Sequence, residues 1–406
     1  MHSRLLGLSV TFFGLVQLVV SGPVKALTGS AEHFDARATP TTANTVVLDG
    51  KRLISAKQHL KENFFATQLT SLRRDADSWL GKGPWSVIFK PHPPENGTLH
   101  DYSSQAPYWW PTKNKTDQNV SSLSTSRAPT RLDNAWSWVS LYRTRRVNAT
   151  RFLHLFATFA PLFTGRTIHD VDTITDRLSI GAVCQSSYSL ALTWYYMYTG
   201  DAKYSKKAAT ALCTWFLDPK TSMNPNLEHS QAVPCRELGR APVIIDFSQL
   251  FTSVVDAVQI LNLGATGWTK DDTTRMNKWN QQFLDWLVSS DLGKQASALH
   301  NNHAVFYDMQ VAALSLSVGK RDQAKSVVSR AKSRIDEQIA PDSSQPNEAV
   351  RTRSWHYHCF NLVAFTRLAQ IASHVGVDLW RYKGPKGQGL QKAIQFILPT
   401  ALNQKK

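Results

Sequence analysis

Apolar residues recur at helical spacing in one segment after another along the second half of this chain, and little else competes with that pattern. Val183, Ser187, Leu190, Ala191, Trp194 and Tyr198 share one face, and Gly200 stops the run. A second helix is predicted over about 203–217, before Pro219. Phe251, Val254, Val255 and Val258 mark a third, and residues 270–289 make a fourth. Val305, Met309, Ala312 and Leu316 mark a fifth that Gly319 ends. Residues 321–338 make a sixth. Phe360, Val363, Ala364, Leu368 and Ile371 mark a seventh, ending near Gly376. A helix with one apolar stripe must bury that stripe against a neighbour, and short turns make sequential neighbours antiparallel. Strand signals are few, so the fold class is all-α, built from antiparallel helix pairs. Periodicity does not say whether the pairs close into a ring.

Upstream the pattern is looser. Residues 27–45 read as a flexible mature N-terminus, Val46–Leu48 as a short extended piece, and Asp49-Gly50 as a turn. Lys51 to Leu80 is helical, with no Pro or Gly. Residues 81–130 are loops rich in Pro, Gly, Asn and Ser, and 112–166 fits no regular pattern.

The first 26 residues read as a signal peptide: Arg4, an apolar run from Leu5 to Val20, then Val24-Lys25-Ala26 as a small-x-small cleavage site. The run is short for a membrane span, which needs about 20 apolar residues. A secreted, extracellular protein with no membrane association after cleavage is expected. Sequons at Asn96, Asn114, Asn119 and Asn148 agree as glycosylation candidates. The net charge is +16, and removing residues 1–26 takes out Arg4 and Lys25 and no acid, which leaves +14. So basic a chain attracts polyanions: nucleic acid, anionic membrane or acidic polysaccharide. Trp occurs 13 times, which serves either a sugar cleft or a large core.

Polar and aromatic residues gather at four loop-to-helix junctions. These are His100-Asp101-Tyr102 leading to Tyr108-Trp109-Trp110, the stretch Met223 to Gln231, His300-Asn301-Asn302-His303, and Arg351 to His358. Amide, imidazole, phenol and guanidinium groups suit a uronate: cations and donors neutralise its carboxylate, and Tyr or His moves a proton. Each also has a plainer reading, Asn302 as a helix N-cap, Tyr357 as core, and Arg351 and Arg353 as a solvated face. Zinc could draw on His300, His303, His356 and His358, but their spacings match no metal signature, and no metal is expected.

With these residues assembled, the chain resembles the alginate lyase superfamily of polysaccharide lyases. The likeness is to the branch with glucuronan- and alginate-degrading members (family 38), and more distantly to family 5. Ala106-Pro107-Tyr108-Trp109-Trp110-Pro111, Thr167-Ile168-His169-Asp170 and Thr214-Trp215-Phe216-Leu217-Asp218-Pro219 carry the resemblance. So do Met223-Asn224-Pro225-Asn226-Leu227 leading to Gln231-Ala232-Val233-Pro234, and Gly239-Arg240 before Ile244-Ile245-Asp246. Asn301-Asn302-His303 before Tyr307-Asp308-Met309-Gln310, and Ser354-Trp355-His356-Tyr357 before Phe360-Asn361-Leu362, complete it.

The resemblance implies one (α/α) toroid domain over 46–406, complete or incomplete, with a divergent insertion at about 112–166. It implies β-elimination at a 4-linked uronic acid, no cofactor, and an acidic polysaccharide rather than nucleic acid as partner; a monomer is expected. Asn302 and His303 match the family's carboxylate-neutralising and proton-abstracting pair, Tyr357 its catalytic tyrosine, and Arg351, with Arg353 second, its arginine. Tyr108, Trp109, Trp110, Asn226, His229, Gln231, Arg240, Arg353 and His358 are the expected substrate contacts. Arg240 is followed by Ala241-Pro242 where the family has a Gly-rich turn.

The cysteines are Cys184, Cys213, Cys235 and Cys359, an even count that permits two disulfides. Cys184 and Cys213 come level if their helices turn at Gly200. Cys235 and Cys359 replace residues usual in the family, and their replacement together suggests a second bridge. Two other function classes remain open: a binder of acidic glycans on the same fold, and a glycoside hydrolase. The latter needs two flanking carboxylates, for which Asp101, Asp170 and Asp246 are the candidates.

Overall fold

The computed structural model describes residues 42–60, 63–106, 175–196, 200–232 and 244–401. The expected signal peptide, the expected insertion at 112–166, Tyr108, Trp109, Trp110, Asp170, Arg240, Cys235 and the sequons at Asn114, Asn119 and Asn148 lie outside the described residues.

The helices are α1 Gly50–Gln58, α2 Asn63–Leu80, α3 Thr175–Tyr196, α4 Ala202–Leu212, α5 Ile244–Leu261, α6 Lys270–Ser289, α7 Asp291–Ser297, α8 Asn302–Ser317, α9 Arg321–Gln338, α10 Pro346–Ala349, α11 Ser354–Ser373 and α12 Leu390–Ala401. Two strands, β1 Ser103–Gln105 and β2 His229–Ala232, pair in parallel. Asp49 caps α1, accepting from the backbone N–H groups of Lys51 and Arg52. The continuous helix expected over Lys51–Leu80 is two helices, because the His59 N–H turns back to Ala56 O and closes α1. Gly200 (φ +57°) makes the turn between α3 and α4, a left-handed conformation that costs glycine little.

Side-chain contacts fix the helix directions. Phe247 of α5 meets Phe283 of α6 at 5.4 Å between ring centroids, and Phe251 meets Trp279 at 5.7 Å, so these helices are antiparallel. Tyr307, early in α8, donates to Leu287 O, late in α6, so α8 returns parallel to α5. Phe306 and Phe360 meet at 4.5 Å near the starts of α8 and α11. Gly181 of α3 lies against Leu250 of α5 and, three residues on in both helices, Ser253 donates to Cys184 O, so α3 runs parallel to α5. Helices α3, α5, α8 and α11 therefore form a parallel inner layer, and α4, α6 and α9 return along the outside. That is an (α/α) toroid, as expected. Helix α5 has the length and apolarity of a membrane span, but 89% of it is buried inside the fold.

The core is one cluster through all these helices. Trp215, Trp268 and Trp279 belong to it, so these tryptophans pack rather than bind sugar. The packed chain begins earlier than residue 46, since Ala43 and Thr45 are already buried. The Val46–Leu48 segment is held by Asp256 of α5, whose carboxylate accepts the N–H groups of Val46, Val47 and Leu48.

The expected Cys184–Cys213 bridge is corrected: both are free thiols, as is Cys359. The two meet different neighbours. Cys184 is buried beside α5, whereas the Cys213 thiol donates to Asp272 on α6 at 3.7 Å.

Candidate active site

Because the inner helices run parallel, their N-termini gather at one end, and the described parts of the four polar junctions fall there. Two groups of side chains result.

The first is built on the strand pair. Asp246, in the first turn of α5, is fully buried. It accepts from Ser104 Oγ at 2.5 Å, Gln231 Nε2 at 2.9 Å and Ser230 Oγ at 3.3 Å, and pairs with Arg177 at 3.2 Å. Gln231 holds φ at +52°, a left-handed conformation rare outside glycine, while its amide is tied to Asp246. Asp176, in the first turn of α3, forms a buried pair with Lys90 at 2.9 Å and accepts the Ser103 N–H, which pins β1 to α3. Burial pushes the Asp176 carboxyl up; Lys90 opposes this.

Asp101 accepts from Asn224 Nδ2 and from the N–H and hydroxyl of Thr98. Burial alone would raise its carboxyl, but these donors and Asn226 outweigh it and hold the group below the usual range. Asn226 also accepts the Glu228 N–H through Oδ1. His229, on β2, sits against the Asn96–Gly97 turn. A Cβ at Gly97 would come within 2.8 Å of its Nε2, so only glycine allows that approach. Asn96 itself is exposed there.

The second group joins the starts of α8, α10 and α11. The N-cap of α8 is Asn301, whose side chain accepts the His303 N–H at 3.2 Å, so Asn302 is the first helical residue rather than the cap. Asn302 is 1% exposed, and its partner is Glu348 on α10, also 1% exposed. Glu348 Oε1 accepts the Asn302 backbone N–H at 2.7 Å, and Asn302 Nδ2 lies 2.9 and 3.0 Å from the two carboxyl oxygens. Burial pushes the Glu348 carboxyl up, against the pull of the Asn302 donors, Arg351 and His358. The Arg351 N–H closes a turn onto Glu348 O, and its guanidinium lies over the Tyr357 ring, 3.9 Å from the centroid. Tyr357, 8% exposed, stands in the first turn of α11, with its N–H on Arg353 O. His303 and Arg351 are half-buried, and Arg353 occupies the N-cap position of α11.

One expected contact is corrected. His358 is buried, with Nδ1 on Ser354 O at 2.8 Å and Nε2 accepting the Gln345 N–H at 3.4 Å. Both ring nitrogens are spent inside the protein, so His358 packs rather than meeting a sugar.

Glu348 is the residue that sequence reasoning missed. It lies in Pro346-Asn347-Glu348-Ala349, which reads as an ordinary exposed turn, and its partner is 46 positions away. The helix-starting proline and the short spacing to Arg351 were the available signals.

Comparison with known proteins fits this architecture. The family model described as alginate lyase matches residues 86–406. Among solved structures, an alginate lyase from Bacteroides ovatus superposes with a TM-score of 0.73 at 28% identity, over 88% of this chain and 83% of that one. Alginate lyase A1-III, as a histidine-to-alanine variant complexed with a tetrasaccharide, gives a TM-score of 0.43 at 19% identity, over 60% of this chain and 64% of that one. No curated protein sequence matches. With a family model covering most of its length and an inner ring of helices that gathers amide, imidazole, phenol and guanidinium at one end, the chain belongs to the alginate lyase family of polysaccharide lyases.

Proposed function

We propose that this polysaccharide lyase is secreted and cleaves 4-linked uronic acid polymers, glucuronan or mannuronate-rich alginate, by β-elimination. The observation that carries the reading is the second polar group: Asn302 and His303 open one inner helix, Tyr357 opens its parallel neighbour, and Arg351 lies over the Tyr357 ring.

The C5 proton of a uronate is poorly acidic while the adjoining carboxylate is negative. Donors and cations at that carboxylate stabilise the enolate-like charge of the transition state. Asn302 and Arg351 are the groups suited to that task. A base then removes the C5 proton and an acid protonates the departing O4. His303 and Tyr357 are the candidate base and acid, with Tyr357 able to serve as both in a syn elimination.

The hydrolase alternative loses both of its carboxylates that lie among the described residues. Asp246 is buried under donors, and Asp101 is held below the range a general acid needs.

The test is incubation with glucuronan and with alginate in separate reactions. Near-UV-absorbing unsaturated products from either support the lyase reading and name the substrate. Reducing ends without absorbance refute it in favour of hydrolysis, and binding without products refutes it in favour of a glycan binder. Recovery from the medium of a protein beginning after Ala26 tests secretion.

A further inference from the structure

The Asn302 amide is turned the wrong way for the task given to it. Its Nδ2 points at Glu348, and its Oδ1 is buried without a partner among the described residues. An amide oxygen facing a uronate carboxylate sets two acceptors against each other, whereas the reaction needs a donor there. The two ends of a side-chain amide have nearly the same shape, so a half-turn exchanges them within the same space, and the hydrogen-bond network decides between them.

Glu348 is that network. As a carboxylate it only accepts, and it holds both the backbone N–H and Nδ2 of Asn302. As a carboxylic acid it can still accept the backbone N–H through Oε1 while donating from Oε2 to Asn302 Oδ1, which releases Nδ2. Burial favours the acid form. The charged group facing it is Arg351, three residues on, and the titratable one is His358 from α11, while α8 contributes the two Asn302 donors; all of these favour the carboxylate. A uronate carboxylate arriving beside Asn302 adds a like charge and shifts the balance toward the acid form.

We propose that Glu348 is a positioning residue that takes up a proton from solvent when a uronate binds and thereby reverses the Asn302 amide, so that its N–H edge meets the sugar carboxylate. The proposal rests on the lyase reading for its ligand.

Two measurements test it, on the whole mature chain. The first is kcat/KM against pH on the polyuronate that is cleaved. Activity should fall as pH rises through the Glu348 titration. In Glu348→Gln the amide donates to Asn302 Oδ1 permanently, so that descending limb should move to higher pH or vanish. In Glu348→Ala, which orients nothing, kcat should drop about tenfold at every pH with KM little changed.

The second is calorimetry of an oligouronate binding to Tyr357→Phe in buffers of different ionisation enthalpy. Net proton uptake should be present there and lost when Glu348→Gln is added. An unchanged descending limb in Glu348→Gln, or uptake that survives it, overturns the proposal. If no polyuronate is cleaved, the lyase reading fails and the calorimetry still decides the switch. If no oligouronate binds, both fail.

Discussion

Asp308 of α8 should be among the most sensitive positions in the molecule. Its carboxylate is buried and pairs with Arg330 and Arg334 of α9. Arg334 is itself nearly buried, and its remaining nitrogens donate to Ser297 O at 2.8 Å and Leu299 O at 3.3 Å, just before Asn302 and His303. Asp308 thus anchors the cation that holds the approach to α8. Asp308→Asn keeps the shape but leaves the Arg334 guanidinium buried without its counter-charge. Breaking such a pair from one side costs about 3–5 kcal/mol. For a chain this large that lowers Tm by roughly 6–10 °C, at about 2 °C per kcal/mol. Thermal unfolding followed by circular dichroism measures it. Arg334→Met added to Asp308→Leu removes the two buried charges and leaves only the half-exposed Arg330, which water solvates, so the double variant should recover much of the loss, since a buried pair replaced by apolar groups is often neutral. A Tm for Asp308→Asn within about 1 °C of the parent would refute the reasoning, because a buried uncompensated charge cannot cost so little.

Asp256 is buried and pushed up to about 6 by burial, against the pull of its backbone donors and Arg367. A folded value above the unfolded one, about 4, means its contribution is complete below pH ~4 and lost as pH rises through ~6, about 3 kcal/mol over that span. Denaturant titrations should show that slope, and Asp256→Asn should flatten it; an identical slope in the variant argues against the assignment. Tyr357→Phe and His303→Ala should each lower kcat by at least ~10², and near-normal turnover in both would remove them from proton transfer. The chain, at +16, or +14 without residues 1–26, should bind polyuronate with affinity that declines steeply with salt, since exposed charges are screened beyond about 8 Å at physiological ionic strength; a flat response would assign the basic surface elsewhere.

The helices were legible because an apolar stripe needs no knowledge of its partner. Lys270–Ser289 and Arg321–Gln338 stand where their spacing puts them. The Asn302 and Tyr357 junctions were also legible, as dense polar clusters at helix starts. Polar contacts between distant segments were not. Asp256 interrupts an otherwise apolar stripe, which signals a buried acid, yet nothing local says that it holds residues 46–48. Glu348 and Asn302 find each other only after α8 and α11 lie parallel. The cysteine expectation failed for a related reason: chain length fixed how far along its helix each thiol lies, but not the direction in which it points.

The parallel inner layer also has an electrostatic consequence. Each of its helices brings a partial positive charge, about half a unit, to the same end of the protein. At three of the four an internal carboxylate answers it: Asp176 in the first turn of α3, Asp246 in that of α5, and Glu348 on the first N–H of α8. The first turn of α11 has no acid, and Arg353 at its N-cap position supplies no side-chain acceptor. The macrodipole of the helix that carries Tyr357 therefore adds to the charges of Arg351 and Arg353 instead of being cancelled. That part of the field belongs to the backbone, so it persists at every pH and through any substitution of the surface lysines.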